Sequence, residues 1–249
     1  MNLKFLSLSV YKSKYIFVIF SSLLILGAHA GILQVNEKSI SYADGAKLEV
    51  VVDQLLIPPL SYWPATYIRN ANSQNDALLL KNKILEQLSQ LDQKNKGVLK
   101  LRRDIERFKP FGRININLDP DWIRLRPTAN PRLIGDYQIQ LRSRPKTIEI
   151  IGLTAQSQTL RFNAKVLHSG LVDRDRYQDW AELNFIYVIS PDGQISRIDN
   201  AYWNYREVDI LPGSFIYIPI SSNQLPDSME NINDDIAQLL AAGEEGKDD

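Results

Sequence analysis

The chain has 249 residues, 44% hydrophobic and 23% charged, so it can bury one or two cores and is no disordered tail. Its 29 basic and 29 acidic side chains cancel, which removes the overall basic excess expected of a nucleic-acid binder. It has no cysteine, and with that go disulfide staples, thiol nucleophiles, CxxC redox chemistry and thiolate zinc sites.

Residues 1–14 carry Lys4, Lys12 and Lys14 and no acid, and residues 15–26 are an unbroken run of apolar and small side chains. Ala28-His29-Ala30 then gives the small-x-small pattern that signal peptidase accepts, which places the cut before Gly31. The run falls short of the ~20 apolar residues that span a bilayer. The expectation is a signal peptide over 1–30 and a periplasmic mature chain with no integral membrane span. Without the leader the chain has 26 basic and 29 acidic residues, and His168 is its only histidine.

Residues 31–70 read as β-rich, with strands at 39–42 and 47–52 on either side of the Ala43-Asp44-Gly45 turn. The period then changes. Ala77, Leu80, Ile84, Leu88 and Leu91 recur at helical steps behind Asn75 or Asp76 as a cap. Val98, Leu101, Ile105 and Phe108 form a second stripe that Pro110 ends, so residues 72–108 predict an αα-hairpin. Ile114, Ile116 and Leu118 predict a strand, as do 122–125 and 136–141. Arg144-Pro145 reads as a domain junction. Further strands are expected at 147–153, 159–163, 184–189, 194–198 and 215–220, with a type I turn at Ser190-Pro191-Asp192-Gly193. Residues 227–243 predict a closing amphipathic helix with Met229, Ile232, Ile236, Leu239 and Leu240 on one face.

Leu133-Ile134-Gly135-Asp136-Tyr137 and Leu211-Pro212-Gly213-Ser214-Phe215 share the pattern Leu-x-Gly-polar-aromatic, 78 residues apart, each leading into a strand. That offset suits two small domains of one kind in tandem. Charge is uneven: residues 97–146 hold twelve basic against five acidic side chains, and residues 147–249 hold seven against seventeen. Ion pairs between the halves account for this first, as a solvated surface; the sharper alternative is a basic face for an anionic ligand, with the acidic half steering a different partner.

With Gly112-Arg113-Ile114, the stretch from Asn130-Pro131 to Arg144-Pro145, Ser190-Pro191-Asp192-Gly193, Ala201-Tyr202-Trp203-Asn204, Leu211-Pro212-Gly213 and Ile218-Pro219 in this order, the chain resembles the GfcC-like capsule-biosynthesis family. These are periplasmic proteins encoded with machinery for extracellular polysaccharide. The resemblance implies an α+β fold of two tandem β-grasp (ubiquitin-like) domains. The first would cover 31–145 with the helical insert 72–108. The second, 146–222, would be similar to the soluble-ligand-binding β-grasp (SLBB) domains of outer-membrane polysaccharide exporters, and the amphipathic helix 227–243 would follow. The acidic ending Ala-Ala-Gly-Glu-Glu-Gly departs from the basic residues expected beyond that helix, and an interfacial helix wants a basic polar face. The stripe is therefore expected to dock on protein, in cis or on an exporter subunit.

The expected function is a non-enzymatic factor in capsule or exopolysaccharide assembly or export, with polysaccharide, polysaccharide-export proteins or both as partners, no nucleic acid, and no cofactor, metal or catalytic residue. Two alternatives belong to other classes: a carboxylate-based polysaccharide-modifying enzyme, and an adaptor that docks an exporter by its C-terminal helix. A triad would have to use His168, which reads better as a loop residue beside Gly170. Asp119 and Asp121 could form a glycosidase pair, but flanking Pro120 they read first as a turn. Trp63, Trp122, Trp180 and the cluster Trp203, Asn204 and Tyr205 are candidate sugar platforms. Arg113 sits where the helical insert hands back to a strand, placed to hold a carboxylate or phosphate in a cleft or to brace the junction by an ion pair.

Overall fold

The structure is a computed structural model that describes residues 30–55, 61–162, 174–200 and 210–246. Residues 1–29, His168 and the Trp203, Asn204 and Tyr205 cluster lie outside the described residues. The described residues form two sheets and five α-helices, an α+β arrangement.

The first sheet has the order β2-β1-β4-β3, from β1 (Ala30–Val35), β2 (Lys38–Ala43), β3 (Tyr67–Arg69) and β4 (Tyr137–Gln140). A two-residue turn at Asn36-Glu37 joins β1 to β2, with Asn36 at φ +50°, a conformation asparagine tolerates. Leu33 and Val35 alternate into a core completed by Leu48, Val51, Ile68, Ile123 and Ile139.

Residues 47–52 are not a strand. They form α1 (Leu48–Val52), whose Leu48, Val51 and Val52 lie on one helical face against the sheet. Its first turn is capped from far along the chain, with Leu48 N–H donating to the Pro131 carbonyl and Glu49 N–H to Asn130 Oδ1 (3.0 Å). Residues 122–125 are not a strand either, but lie in α4 (Pro120–Leu125). Asp119 is its N-cap, accepting from Asp121 N–H, with Pro120 at the first helical position. Between them, residues 112–118 keep the Ile-in, Asn-out alternation without entering a sheet. Their link to β3 is a bond from Ile114 N–H to the Ile68 carbonyl.

The hairpin consists of α2 (Ala71–Gln90) and α3 (Lys96–Arg107). It starts earlier than the apolar spacing implies, because Asn70 caps it in a reciprocal box with Ser73. Set in sequence between β3 and β4, the hairpin buries its apolar face elsewhere. Ile84, Leu88, Leu101 and Ile105 pack into the core of the second sheet, with Ile150, Ile186 and Ile216. Lys100 fixes this placement from the buried side of α3: its Nζ donates to the Gly152 carbonyl (3.0 Å) and Thr154 Oγ1 (3.2 Å) and pairs with Asp104 (3.0 Å). A domain cut at 145 would separate this hairpin from the core it fills.

The second sheet has the order β6-β5-β9-β7-β8, from β5 (Thr147–Gly152), β6 (Gln158–Arg161), β7 (Phe185–Ile189), β8 (Ile195–Asp199) and β9 (Phe215–Ile218). Its connectivity repeats that of the first. In each, the first strand of an antiparallel hairpin (β1, β5) runs parallel to a later strand (β4, β9), which pairs antiparallel on its far side with an intervening one (β3, β7). The Leu-x-Gly-polar-aromatic copies lead into these equivalent strands, β4 and β9. Gly135 at φ +82° and Gly213 at φ +89° make the same left-handed entry. The leucines diverge: Leu133 is buried, whereas Leu211 is exposed and Ile210 beside it is buried.

The closing helix α5 (Ile232–Ala241) is shorter than expected, preceded by a single 3-10 turn at Asp227–Met229. Asn233 clasps it to the second sheet, accepting from Tyr217 Oη (2.8 Å) and Ile220 N–H (2.9 Å) and donating to the Ile220 carbonyl (2.7 Å). Beyond α5 the tail crosses back to residues 109–113. Gly112 and Arg113 N–H donate to the Ala242 carbonyl, and Glu245 N–H donates to that of Lys109.

Candidate functional site

Residues 112–118 run along the seam between the two sheets and carry Arg113 into it. Its guanidinium lies over the Tyr67 ring, 3.8 Å from the centroid, and Nη2 donates to the Pro191 carbonyl in the turn before β8. Gly193 completes that turn at φ +86°, and a Cβ there would come within 2.4 Å of Arg113 Nη1, so the arginine lies directly against the turn backbone. Burial pushes the Arg113 pKa down to about 10, against the opposing pull of Tyr67 and Asp192. The half-buried guanidinium has no carboxylate at ion-pair distance among the described residues, and its Nε is buried without a hydrogen-bond partner. Among the described residues Arg113 contacts the junction through a ring and a carbonyl, and the ion pair expected in the bracing reading is not formed.

A cleft of about 390 Å³ opens beside it, lined by Trp63, Asn115, Asn117, Asp119, Asp192 and Gln194 among others. The one-turn 3-10 helix Trp63–Ala65 presents the indole, and the alternation of residues 112–118 turns Asn115 and Asn117 outward. Trp63 is one of the aromatics that sequence reasoning singled out. The two asparagines were missed, and the signal for them was the Ile-Asn-Ile-Asn pattern itself, whose polar half reads as ordinary strand surface. Trp63 is itself partly packed against the first core and shows the cleft only its remaining face, while Arg126 lies 3.5 Å from the Trp122 ring centroid and Trp180 packs against the second core away from the cleft.

Asp119 lines the cleft but is committed to capping α4. Asp121 points to solvent beside Arg124 (3.6 Å). Of the two dockings expected for the C-terminal stripe, in cis or on an exporter subunit, the structure has the one in cis. Met229, Ile232, Ile236, Leu239 and Leu240 are all buried in the second core, because α5 packs in cis on α2 and the sheet.

The charge asymmetry resolves in two ways. Two ion pairs reach the acidic C-terminal part from ahead of the basic stretch, Lys83–Asp235 (2.7 Å) and Arg69–Glu245 (2.9 Å). Within the basic stretch, Arg113, Arg126, Arg142 and Arg144 lie over Tyr67, Trp122, Tyr67 and Tyr62 respectively. Among the described residues no helix is long and apolar enough to cross a membrane.

Comparison with known proteins agrees with this layout. Residues 30–144 match the family described as Capsule biosynthesis GfcC, N-terminal, and residues 156–243 match Capsule biosynthesis GfcC C-terminal. The uncharacterized protein YjbG of Escherichia coli (strain K12) is 30% identical over 186 residues, which is 72% of this chain and 76% of that protein. Two matched regions that meet either side of the seam, together with this relative, show that the chain belongs to the GfcC-like capsule-biosynthesis family.

Proposed function

We propose that this chain is a non-enzymatic periplasmic factor in capsule or exopolysaccharide assembly or export, and that it holds a stretch of glycan in the cleft between its sheets. The observation that carries the reading is the composition of that cleft: the Trp63 indole, the Asn115, Asn117 and Gln194 amides, and the Asp119 and Asp192 carboxylates. Amides donate and accept, carboxylates accept, and an aromatic face covers the C–H face of a pyranose. The Arg113 guanidinium at the back of the cleft sets one positive charge against the carboxylates of Asp119 and Asp192, and this near balance favours a neutral glycan segment.

In this reading both units are β-grasp folds, the second of the soluble-ligand-binding kind, and the repeated strand connectivity supports that. The leader 1–30, cut before Gly31, delivers the protein to the periplasm. The enzyme alternative loses support at Asp119, whose Oδ1 is held by the α4 cap while Asp121 faces solvent and leaves it no second carboxylate as a pair, and the adaptor alternative loses it in the burial of the α5 stripe.

The test uses the purified mature protein with exopolysaccharide from its own host. Calorimetry should show binding, lost in the double variant Asn115→Ala/Asn117→Ala, while size-exclusion chromatography shows no shortening of the polymer. Depolymerisation that Asp119→Asn abolishes would replace this reading with the enzyme. Undiminished binding by the double variant would remove the cleft from it.

A further inference from the structure

The face of the first sheet turned away from its core carries a second polar site. Ile68 and Ile139 point into the core, so their strand neighbours Arg69, Gln138 and Gln140 point the other way. Arg69 is buried there and bound on three sides. Its Nε donates to Gln138 Oε1 (2.8 Å), Nη1 to the Phe111 carbonyl (3.1 Å) and Nη2 to Glu245 Oε1 (2.9 Å), and the guanidinium lies 4.3 Å from the Phe111 ring centroid. Gln138 and Phe111 are held in place by the sheet and by the crossing of the tail over residues 109–113. Glu245 is different: its side chain is 44% exposed, and it borders a cavity of about 680 Å³ also lined by Gln54, Leu55, Phe111, Gln138 and Gln140.

Two features of this cavity point to a ligand. Gln140 Oε1 is buried with no hydrogen-bond partner among the described residues, an arrangement that costs stability unless a donor arrives. Gln138 gives its Oε1 to Arg69, which leaves its NH2 group to donate elsewhere. An acceptor and a donor on one strand, above an apolar floor, with Lys38 and Glu37 also in the lining and Arg69 behind Glu245 and not itself in it, suit a hydroxylated ring that bears a carboxylate.

We propose that this cavity binds a hexuronate residue of an acidic glycan, whose carboxylate replaces that of Glu245 on Arg69 while its hydroxyls meet Gln138 and Gln140. Glu245 is the resident stand-in that keeps the buried guanidinium paired when the cavity is empty. The exchange needs only rotation of the Glu245 side chain, because the backbone bond from Glu245 N–H to Lys109 can remain. A neutral sugar cannot make it, since it would leave Arg69 without a counter-charge. The site is separate from the cleft beside Arg113 and does not depend on it.

The experiment titrates methyl β-D-glucuronide, methyl β-D-glucoside and acetate into the mature protein, reading the Arg69 Nε–H and Gln140 side-chain resonances by NMR. The glucuronide should shift both, and the other two should shift neither at the same concentration. Glu245→Ala and Glu245→Gln should each bind the glucuronide about tenfold more tightly, because the internal competitor is removed or weakened. Gln140→Ala should weaken binding without unfolding the protein. Equal responses to glucuronide and acetate, equal responses to glucuronide and glucoside, or unchanged affinity in both folded Glu245 variants would each overturn the proposal.

Discussion

Lys100 on α3 donates its Nζ hydrogen to the Gly152 carbonyl at the end of β5, 3.0 Å away, and so ties a helix encoded in the first half of the chain to the sheet encoded in the second. Burial lowers its pKa, with Asp104 acting in the opposite sense. Lys100→Met keeps the volume and removes the bonds, leaving the Gly152 carbonyl and Asp104 short of a partner. We expect it to cost about 2–4 kcal/mol in urea unfolding at neutral pH. Arg102→Ala, which breaks the exposed pair with Glu106 one turn away, should stay within about 0.5 kcal/mol.

Arg113 and Tyr67 should couple. Arg113→Ala is expected to destabilise the protein by about 1–3 kcal/mol, and a double-mutant cycle with Tyr67→Leu should return a coupling of about 0.5–2 kcal/mol. Arg113→Lys should not restore stability, since an ammonium offers no plane to lie on the ring. Full additivity of the two substitutions would show that the stack holds nothing together.

Removing the closing helix should open the second core. Truncation after Pro226 takes away the clasp of Asn233 and uncovers Ile84 and Leu88. We expect loss of cooperative unfolding and binding of a hydrophobic dye. Asn233→Ala leaves Tyr217 Oη and both Ile220 backbone groups without their partner, at a cost of about 3–4 kcal/mol in equilibrium unfolding. A truncated chain with wild-type stability would mean that α5 is dispensable to the fold.

Alkali should unfold the protein through its tyrosines. Burial, reinforced by Tyr137, Asp44 and Asp136, pushes Tyr42 up to about 12, and burial first among other causes raises Tyr187 and Tyr217 as well. Each phenol holds its proton more tightly folded than unfolded, so its contribution is complete below the ordinary value of 10.0 and is lost as the pH climbs toward the folded value. Lys100, whose pKa burial lowers, works with the opposite sign and favours the fold as pH rises toward 10.5. Urea midpoints measured from about pH 9 to about pH 11.5 should fall, and Tyr42→Phe should flatten the slope.

The sequence showed the helical hairpin, the hairpin β7–β8 with its turn, and the paired motif ahead of β4 and β9, because each of these is signalled within a few residues. It hid α1, whose Leu-Glu-Val-Val-Val run has the composition of a strand and whose helical start is capped by Asn130 from a distance of 81 residues. It also hid α4, where Asp119-Pro120 reads as a turn and is in fact an N-cap with its first helical residue. The apolar stripe of α5 was legible as a buried face, yet nothing in its own residues said whose surface would bury it. Arg113 was recognisable as a junction residue, but its partners, an aromatic ring and a backbone carbonyl, leave no acidic signature to find. Asn115 and Asn117 acquire meaning only when Trp63 and Gln194 arrive opposite them from other parts of the chain.

Because the α2–α3 hairpin fills the core of the second sheet, the order of synthesis and the order of assembly are at odds. The hairpin emerges before any strand of the sheet it will cover, and its apolar stripe stays unsatisfied until β9 and α5 have followed. Cutting the chain between the two family regions would therefore part the helical hairpin from the sheet it covers. A nascent chain that has not yet made α5 shows that bare apolar stripe, the kind of surface that holding factors and proteases recognise.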